Sequence, residues 1–132
     1  MNYAESLHYI NTLPKYMNKH SLDNTKELLT LLGSHQDDLS VIHVVGTNGK
    51  GSTCSMLSSI LQRAGYRVGL LTTPFLTRFN EVIKINNTPI SDIELSSILS
   101  RIQKVIETMS SQPTRFGVVV VAAIEYFLCS LL

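Results

Sequence analysis

Cysteine is scarce in this sequence. Cys54 and Cys129 stand far apart, with neither CxxC nor Cys/His spacing. A disulfide framework and a metal cage are therefore not expected, and a reduced, cytoplasmic setting fits best. No run reaches the roughly 20 apolar residues needed to span a bilayer. The nearest approach, Val118 to Leu132, is interrupted by Glu125. The N-terminal MNYAESLHYI has no basic segment ahead of an apolar one, so no signal peptide is expected. Low-complexity tracts, internal repeats and charge blocks are also missing, and the net charge is only +1. Neither nucleic acid nor a membrane is an expected partner.

What is present suits a folded protein. An apolar fraction of 44% over 132 residues is enough for one core and short for two domains. The charge is unevenly placed. Residues 41–90 hold Lys50, Arg63, Arg67, Arg78 and Lys84 against a single acid, Glu81. That excess would suit an anionic ligand, and a scatter of solvated basic residues accounts for it equally well.

Apolar spacing predicts a short helix over Tyr3–Leu13, stopped by Pro14, and a second opening near Asp23 or Asn24 and closing at Gly33. The β-branched run Val41-Ile42-His43-Val44-Val45 reads as a buried strand. From Thr53 the period changes. Thr53, Met56, Leu57, Ile60, Leu61 and Ala64 would line one helix face, with Ser55, Ser58, Ser59, Gln62 and Arg63 opposite and Gly65 as the stop. Arg67 to Thr72 reads as another strand. Strand, helix and strand in about 30 residues predict a βαβ unit with a parallel sheet, hence an α/β fold.

Further on, Pro74–Glu81 looks irregular, and Asn86-Asn87-Thr88-Pro89 resembles the turn of a hairpin between Val82–Ile85 and Ile90. Ser91 to Glu94 reads as a capping box opening a helix that buries Leu95, Ile98, Leu99, Ile102, Val105, Ile106 and Met109. Thr114–Leu132 is ambiguous: four consecutive valines favour strand, whereas the length and Ala122-Ala123 favour a buried helix. His8, His20, His35 and His43 are scattered and read as surface or core residues.

The informative stretch is Gly46-Thr47-Asn48-Gly49-Lys50-Gly51-Ser52, between the first strand and its helix. A glycine-rich turn lets backbone N–H groups approach an anion, and the helix start adds unpaired donors and the positive end of a dipole. Lys50 can reach β- and γ-phosphates, and a hydroxyl, Ser52 or Thr53, can hold Mg²⁺. The standard P-loop would want Gly at Val44 and Ser or Thr at Gly51. In its structural context the stretch reads as an ATP or GTP site; a glycine-rich βα turn that binds nothing is the alternative.

The departure from the standard spacing is itself informative. GTNGKGS resembles the phosphate loop of the Mur ligase superfamily. The longer stretch VIHVVGTNGKGSTCSMLSSILQRAGYRVGLLTTPFLTRFNEVIKINNTPISDIEL is similar to the signature region of folylpolyglutamate and dihydrofolate synthases. The N-terminal helices and the PTRF…YF segment fit the same family. The resemblance implies a truncated, Mur ligase central-domain-like α/β fold. Residues 1–40 would be a helical lead-in and 41–132 an incomplete P-loop βαβ core, with the C-terminal domain absent. It also implies an enzyme that is cytoplasmic and monomeric when full length, using ATP and Mg²⁺ to join L-glutamate to folate through an acyl phosphate.

Residue by residue, the resemblance makes Gly46, Thr47, Asn48, Gly49, Lys50, Gly51, Ser52 and Thr53 the nucleotide-binding loop. Lys50 would act on the transferring phosphate, and Ser52 and Thr73 on magnesium. Pro74, Phe75, Phe79, Asn80 and Glu81 would belong to a substrate loop. The family's Ser-Pro-His-Leu is Thr73-Pro74-Phe75-Leu76 here, and its Phe-Asn-Glu-Arg is Phe79-Asn80-Glu81-Val82. Where the family carries a magnesium-binding glutamate, this chain has Gly117, and Glu125 lies about 12 Å further along a helix. Three readings follow: a piece of a ligase, a module that binds nucleotide without catalysis, and a degenerate remnant. The isolated chain is expected to ligate nothing.

Overall fold

The computed structural model describes residues 1–16, 18–73 and 77–131. Helix α1, Tyr3–Thr12, opens on a capping box. The Asn2 side chain accepts from the Glu5 amide at 2.8 Å, and the Glu5 carboxylate accepts from the Asn2 amide at 3.1 Å. Its chain leaves the helix at Leu13, ahead of Pro14. Helix α2, Ser21–Leu32, starts earlier than the expected Asp23 or Asn24. The turn before it is closed by Asn18, whose side chain accepts from the His20 amide at 2.8 Å. Asn24 is used elsewhere. Its carboxamide donates to the Gln112 carbonyl and accepts from the Ser111 hydroxyl, tying α2 to the last loop. Gly33 ends α2 with φ 70°, a left-handed cap that costs glycine little.

Helix α3 spans Lys50–Arg63, and strand β1, Gly69–Leu71, follows it. Strands β2, Ile83–Ile85, and β3, Thr88–Pro89, form the expected hairpin. Asn86 and Asn87, at φ 47° and 66°, take the left-handed turn that asparagine tolerates. Helix α4, Asp92–Ile106, is capped by the Ser91 hydroxyl, which accepts from the Glu94 amide at 3.1 Å. The Glu94 carboxylate returns to that hydroxyl rather than to the backbone. Leu95, Leu99, Ile102 and Ile106 on α4 are buried, as their spacing predicts.

The ambiguous segment is a helix, α5, Arg115–Leu131. Thr114 caps it, its hydroxyl accepting from the Gly117 amide at 3.1 Å. Apolar nearly all round, α5 is packed among α1, α2, α4 and β1, and this enclosure overrides the strand preference of its valines. Its one buried acid, Glu125, is held by Arg101 and by the Ser34 hydroxyl. Among the described residues no helix is long and apolar enough to cross a membrane.

Two expectations need correction. The chain is mixed α/β, but its sheet is antiparallel throughout, in the order β1-β2-β3, and Val41–Val45 forms no strand. Parallel pairing is stable when both faces are covered, and among the described residues nothing covers Val41, Ile42 and Val45, which lie exposed. Helix α3 is also rotated from its expected face. Ser58 is its buried residue, with Leu57 and Leu61 half-buried, while Met56 and Ile60 of the expected core face lie in solvent. A helix packs whichever face its neighbours can cover, and the cover for this stripe is not formed by the described residues.

Gly117 lies where α5 meets α2 with no room for a Cβ. A Cβ there would stand 2.5 Å from the Thr25 hydroxyl and 3.3 Å from that of Thr114. Gly117→Ala is therefore expected to destabilise the chain by about 1–3 kcal/mol, the clash outweighing alanine's better helix propensity of about 1 kcal/mol. Urea unfolding checks this, and in a Thr25→Ala background the loss should largely disappear.

Candidate functional site

The glycine-rich loop sits where α3 begins, and helix formation starts sooner than Thr53. Gly49 occupies the N-cap position at φ 76°, and the Thr53 amide makes the first helical bond, to the Gly49 carbonyl at 2.9 Å. The amides of Lys50, Gly51 and Ser52 thus fall in the first turn, where a helix presents unpaired donors and the positive end of its dipole. Gly46 at φ 151° supplies a second conformation that a side chain would strain. No side chain caps the helix, and Gly46 through Thr53 are all exposed, with Lys50 at the first helical position. This is the arrangement an anion needs: donors unspent, a cation adjacent, and no Cβ in the way at Gly49 or Gly51.

Thr73 follows strand β1, which packs against helix α3. Thr73 is exposed, two residues beyond β1, and the Thr72 amide is fixed to the Val82 carbonyl at 3.0 Å. No group of three or more His, Cys, Asp or Glu that could hold a metal occurs among the described residues. Gly117 is buried against Thr25, so a carboxylate at that position would have to displace the Thr25 hydroxyl.

Of the expected substrate-loop residues, Pro74 and Phe75 lie outside the described residues. Phe79, Asn80 and Glu81 belong to a 3-10 turn, Phe79–Val82. Phe79 packs against the core, and the Glu81 carboxylate accepts from the amides of Thr77 and Arg78. Asn80 is buried and saturated. It accepts from the Tyr3 hydroxyl at 2.5 Å and donates to the Ile90 carbonyl at 2.7 Å and the Asp92 carboxylate at 3.0 Å. Asp92 also pairs with Arg78 at 2.8 Å, and that guanidinium lies 5.1 Å from the Tyr3 ring centroid. Hydrogen bonds that the Arg78 guanidinium donates to Asp92, and then to Tyr3, hold it above its usual pKa. Tyr3 and Asp92 are the residues that sequence reading missed. Asp92 was visible only as a helix-opening acid, and Tyr3 only as a helix-face apolar residue.

Asn80→Ala is expected to cost about 1–3 kcal/mol by urea unfolding, because its buried partners lose their bonds. Asn80→Asp should be at least as harmful at neutral pH, since it places a second carboxylate 3.0 Å from that of Asp92.

No protein-family model matches the chain. Individual proteins do. The chain is 36% identical over 129 residues to the dihydrofolate synthase/folylpolyglutamate synthase of Bacillus subtilis, covering 95% of itself and 30% of that protein. It is 37% identical over 118 residues to the folylpolyglutamate synthase of Lacticaseibacillus casei, covering 89% and 28%. Among solved structures, a folylpolyglutamate synthase complex with AMPPCP and folate superposes with a TM-score of 0.92 at 34% identity, over 98% of this chain and 33% of that one. The bifunctional enzyme of Yersinia pestis gives 0.87 at 29%, over 100% and 32%. The chain spans about a third of the length of these relatives. With this identity over nearly its whole length and the backbone of these structures carried over nearly every residue it has, this chain belongs to the folylpolyglutamate synthase/dihydrofolate synthase family.

Proposed function

We propose that this chain carries the phosphate-binding part of a cytoplasmic, monomeric ligase that uses ATP to join L-glutamate to folate. Residues 1–132 would form the N-terminal part of the ATP-binding domain, 1–40 leading in and 41–132 contributing an incomplete core. The observation that carries this reading is the Gly46–Ser52 turn, with Gly46 and Gly49 left-handed and three first-turn amides of α3 unspent beside Lys50.

In that role the amides of Lys50, Gly51 and Ser52 hold the phosphate chain, and the Lys50 ammonium sits on the β- and γ-phosphates. A folate carboxylate oxygen takes the γ-phosphoryl group and ADP leaves. The glutamate amine then attacks the acyl carbon, with loss of phosphate and a proton. The protein donors that would hold magnesium are two exposed hydroxyls, Ser52 and Thr73. They fit an ion that keeps waters and phosphate oxygens as its other ligands, which is how magnesium is usually held at nucleotide sites. Thr73, Phe79, Asn80 and Glu81, together with Pro74 and Phe75, would border the folate side.

The buried contact of Gly117 with Thr25 favours a narrower role for the isolated chain, nucleotide binding without ligation. Calorimetry with ATP, with and without Mg²⁺, tests the site. Lys50→Ala is expected to weaken binding by about 10- to 100-fold, the worth of one hydrogen bond to a charged group. Equal affinity of variant and parent would remove the phosphate-loop assignment. Purified chain supplied with ATP, Mg²⁺, folate and glutamate should form no glutamylated folate by mass spectrometry.

A further inference from the structure

Thr73 is exposed, and the chain just before it is held by backbone contacts to the turn that comes after it. The Thr72 amide donates to the Val82 carbonyl at 3.0 Å, and Leu71 pairs with Ile83. Val82 ends the 3-10 turn Phe79–Val82, and the Ile83 carbonyl accepts from the Ile90 amide at 2.9 Å. Both lines lead to Asn80. It lies in the same turn as Val82, is 3% exposed, and donates to the Ile90 carbonyl. Two helix starts fix Asn80 in its turn. Tyr3, the first residue of α1, donates its hydroxyl to the Asn80 oxygen, and Asp92, the first residue of α4, accepts from the Asn80 nitrogen. The Arg78 guanidinium joins the two, pairing with Asp92 and lying over the Tyr3 ring. Those helix starts are themselves locked, α1 by its capping box, α4 by the Ser91 hydroxyl, and one to the other by the Met1 amino group on Ser100 at 3.0 Å.

We propose that Tyr3 and Asp92 are positioning residues for the Thr73 hydroxyl, acting through Asn80, Val82 and the Thr72 backbone. The inference rests on the reading in which the glycine-rich turn binds ATP and Thr73 would hold magnesium. Magnesium demands near-ideal octahedral placement of its oxygens, so an exposed hydroxyl serves it only where the backbone beneath is fixed. The buried Tyr3–Asn80 bond carries most of this, because a hydrogen bond away from water is the stronger one. The Arg78–Asp92 pair adds less, since both side chains are about half exposed.

Calorimetry with ATP, with and without Mg²⁺, tests the proposal on the chain itself. In the parent, Mg²⁺ is expected to tighten ATP binding by at least about tenfold. In Tyr3→Phe that gain should fall by at least about threefold, the worth of one hydrogen bond, while affinity without Mg²⁺ stays within about twofold of the parent. Thr73→Ala should lose the gain as well, and Tyr3→Phe/Thr73→Ala should lose no more than Thr73→Ala alone, because the two act through one oxygen. Exchange of the Thr72 amide, measured without nucleotide, should quicken at least about fivefold in Tyr3→Phe while amides of α5 keep their rates. Where Tyr3→Phe does not fold, Asp92 decides: Asp92→Ala should lose the gain and Asp92→Asn, which still accepts from Asn80, should keep it. The proposal is overturned if Tyr3→Phe keeps the full gain, if it weakens ATP equally with and without Mg²⁺, if its loss adds to that of Thr73→Ala, or if the two Asp92 variants behave alike. A parent that binds ATP but ignores Mg²⁺ overturns it alone, whereas a parent that binds no ATP removes the phosphate-loop reading together with it.

Discussion

The arrangement of this chain depends on how closely α5 can be approached. Two of its contacts are made across glycine. At its start, Gly117 meets Thr25 of α2, where a Cβ would come within 2.5 Å of the hydroxyl. Near its end, the Phe127 ring lies on Gly69 of β1, where a Cβ would stand 2.7 Å from the ring. Widening either contact would push α5 away from α2 or from the sheet. Between them, Val118, Val121, Ala122 and Ala123 are buried, and small side chains there let the helices pack closely. Glu125, the acid in this apolar face, is tolerated because Arg101 pairs with it and Ser34 donates to it.

From that helix outward the chain has a tied side and an open side. The Phe127 contact and the bond from Arg67 to the Ser130 carbonyl hold β1 against the end of α5. The hairpin follows from β1, and Asn80 ties the turn after Thr77 to α1 and to the start of α4. These contacts place Thr73 beyond a strand that cannot shift freely. On the open side are the phosphate loop, the run before it and the outer stripe of α3. The candidate site lies on the boundary between the two. Its scaffold is packed on one flank, while its glycine turn and lysine are solvent-facing.

Much of the site was readable from local chemistry. Gly46, Gly49 and Lys50 are informative because backbone conformation at a helix start is a short-range matter, set by residues within one turn. The Asn86-Asn87 turn, the Gly33 stop and the Ser91 cap were legible for the same reason. Asn80 was assigned to a loop correctly but its engagement was not visible. Tyr3 lies 77 positions away and Asp92 lies 12, and nothing in a linear pattern pairs them. Gly117 read as a weakness in a helix. Its contact with Thr25 is a packing fact that only the folded chain contains.

The sequence by itself determined the first four helices, the hairpin, the glycine-rich turn and the family, all carried by periodicity, caps and a contiguous motif. Tertiary structure decided the rest. It made Arg115–Leu131 a helix by enclosing it, left Val41–Val45 without a strand partner among the described residues, and turned α3 so that Ser58 faces in while Met56 and Ile60 face out. Periodicity states which residues can share a face. Which face is buried depends on what is available to cover it, and that is a property of the neighbours.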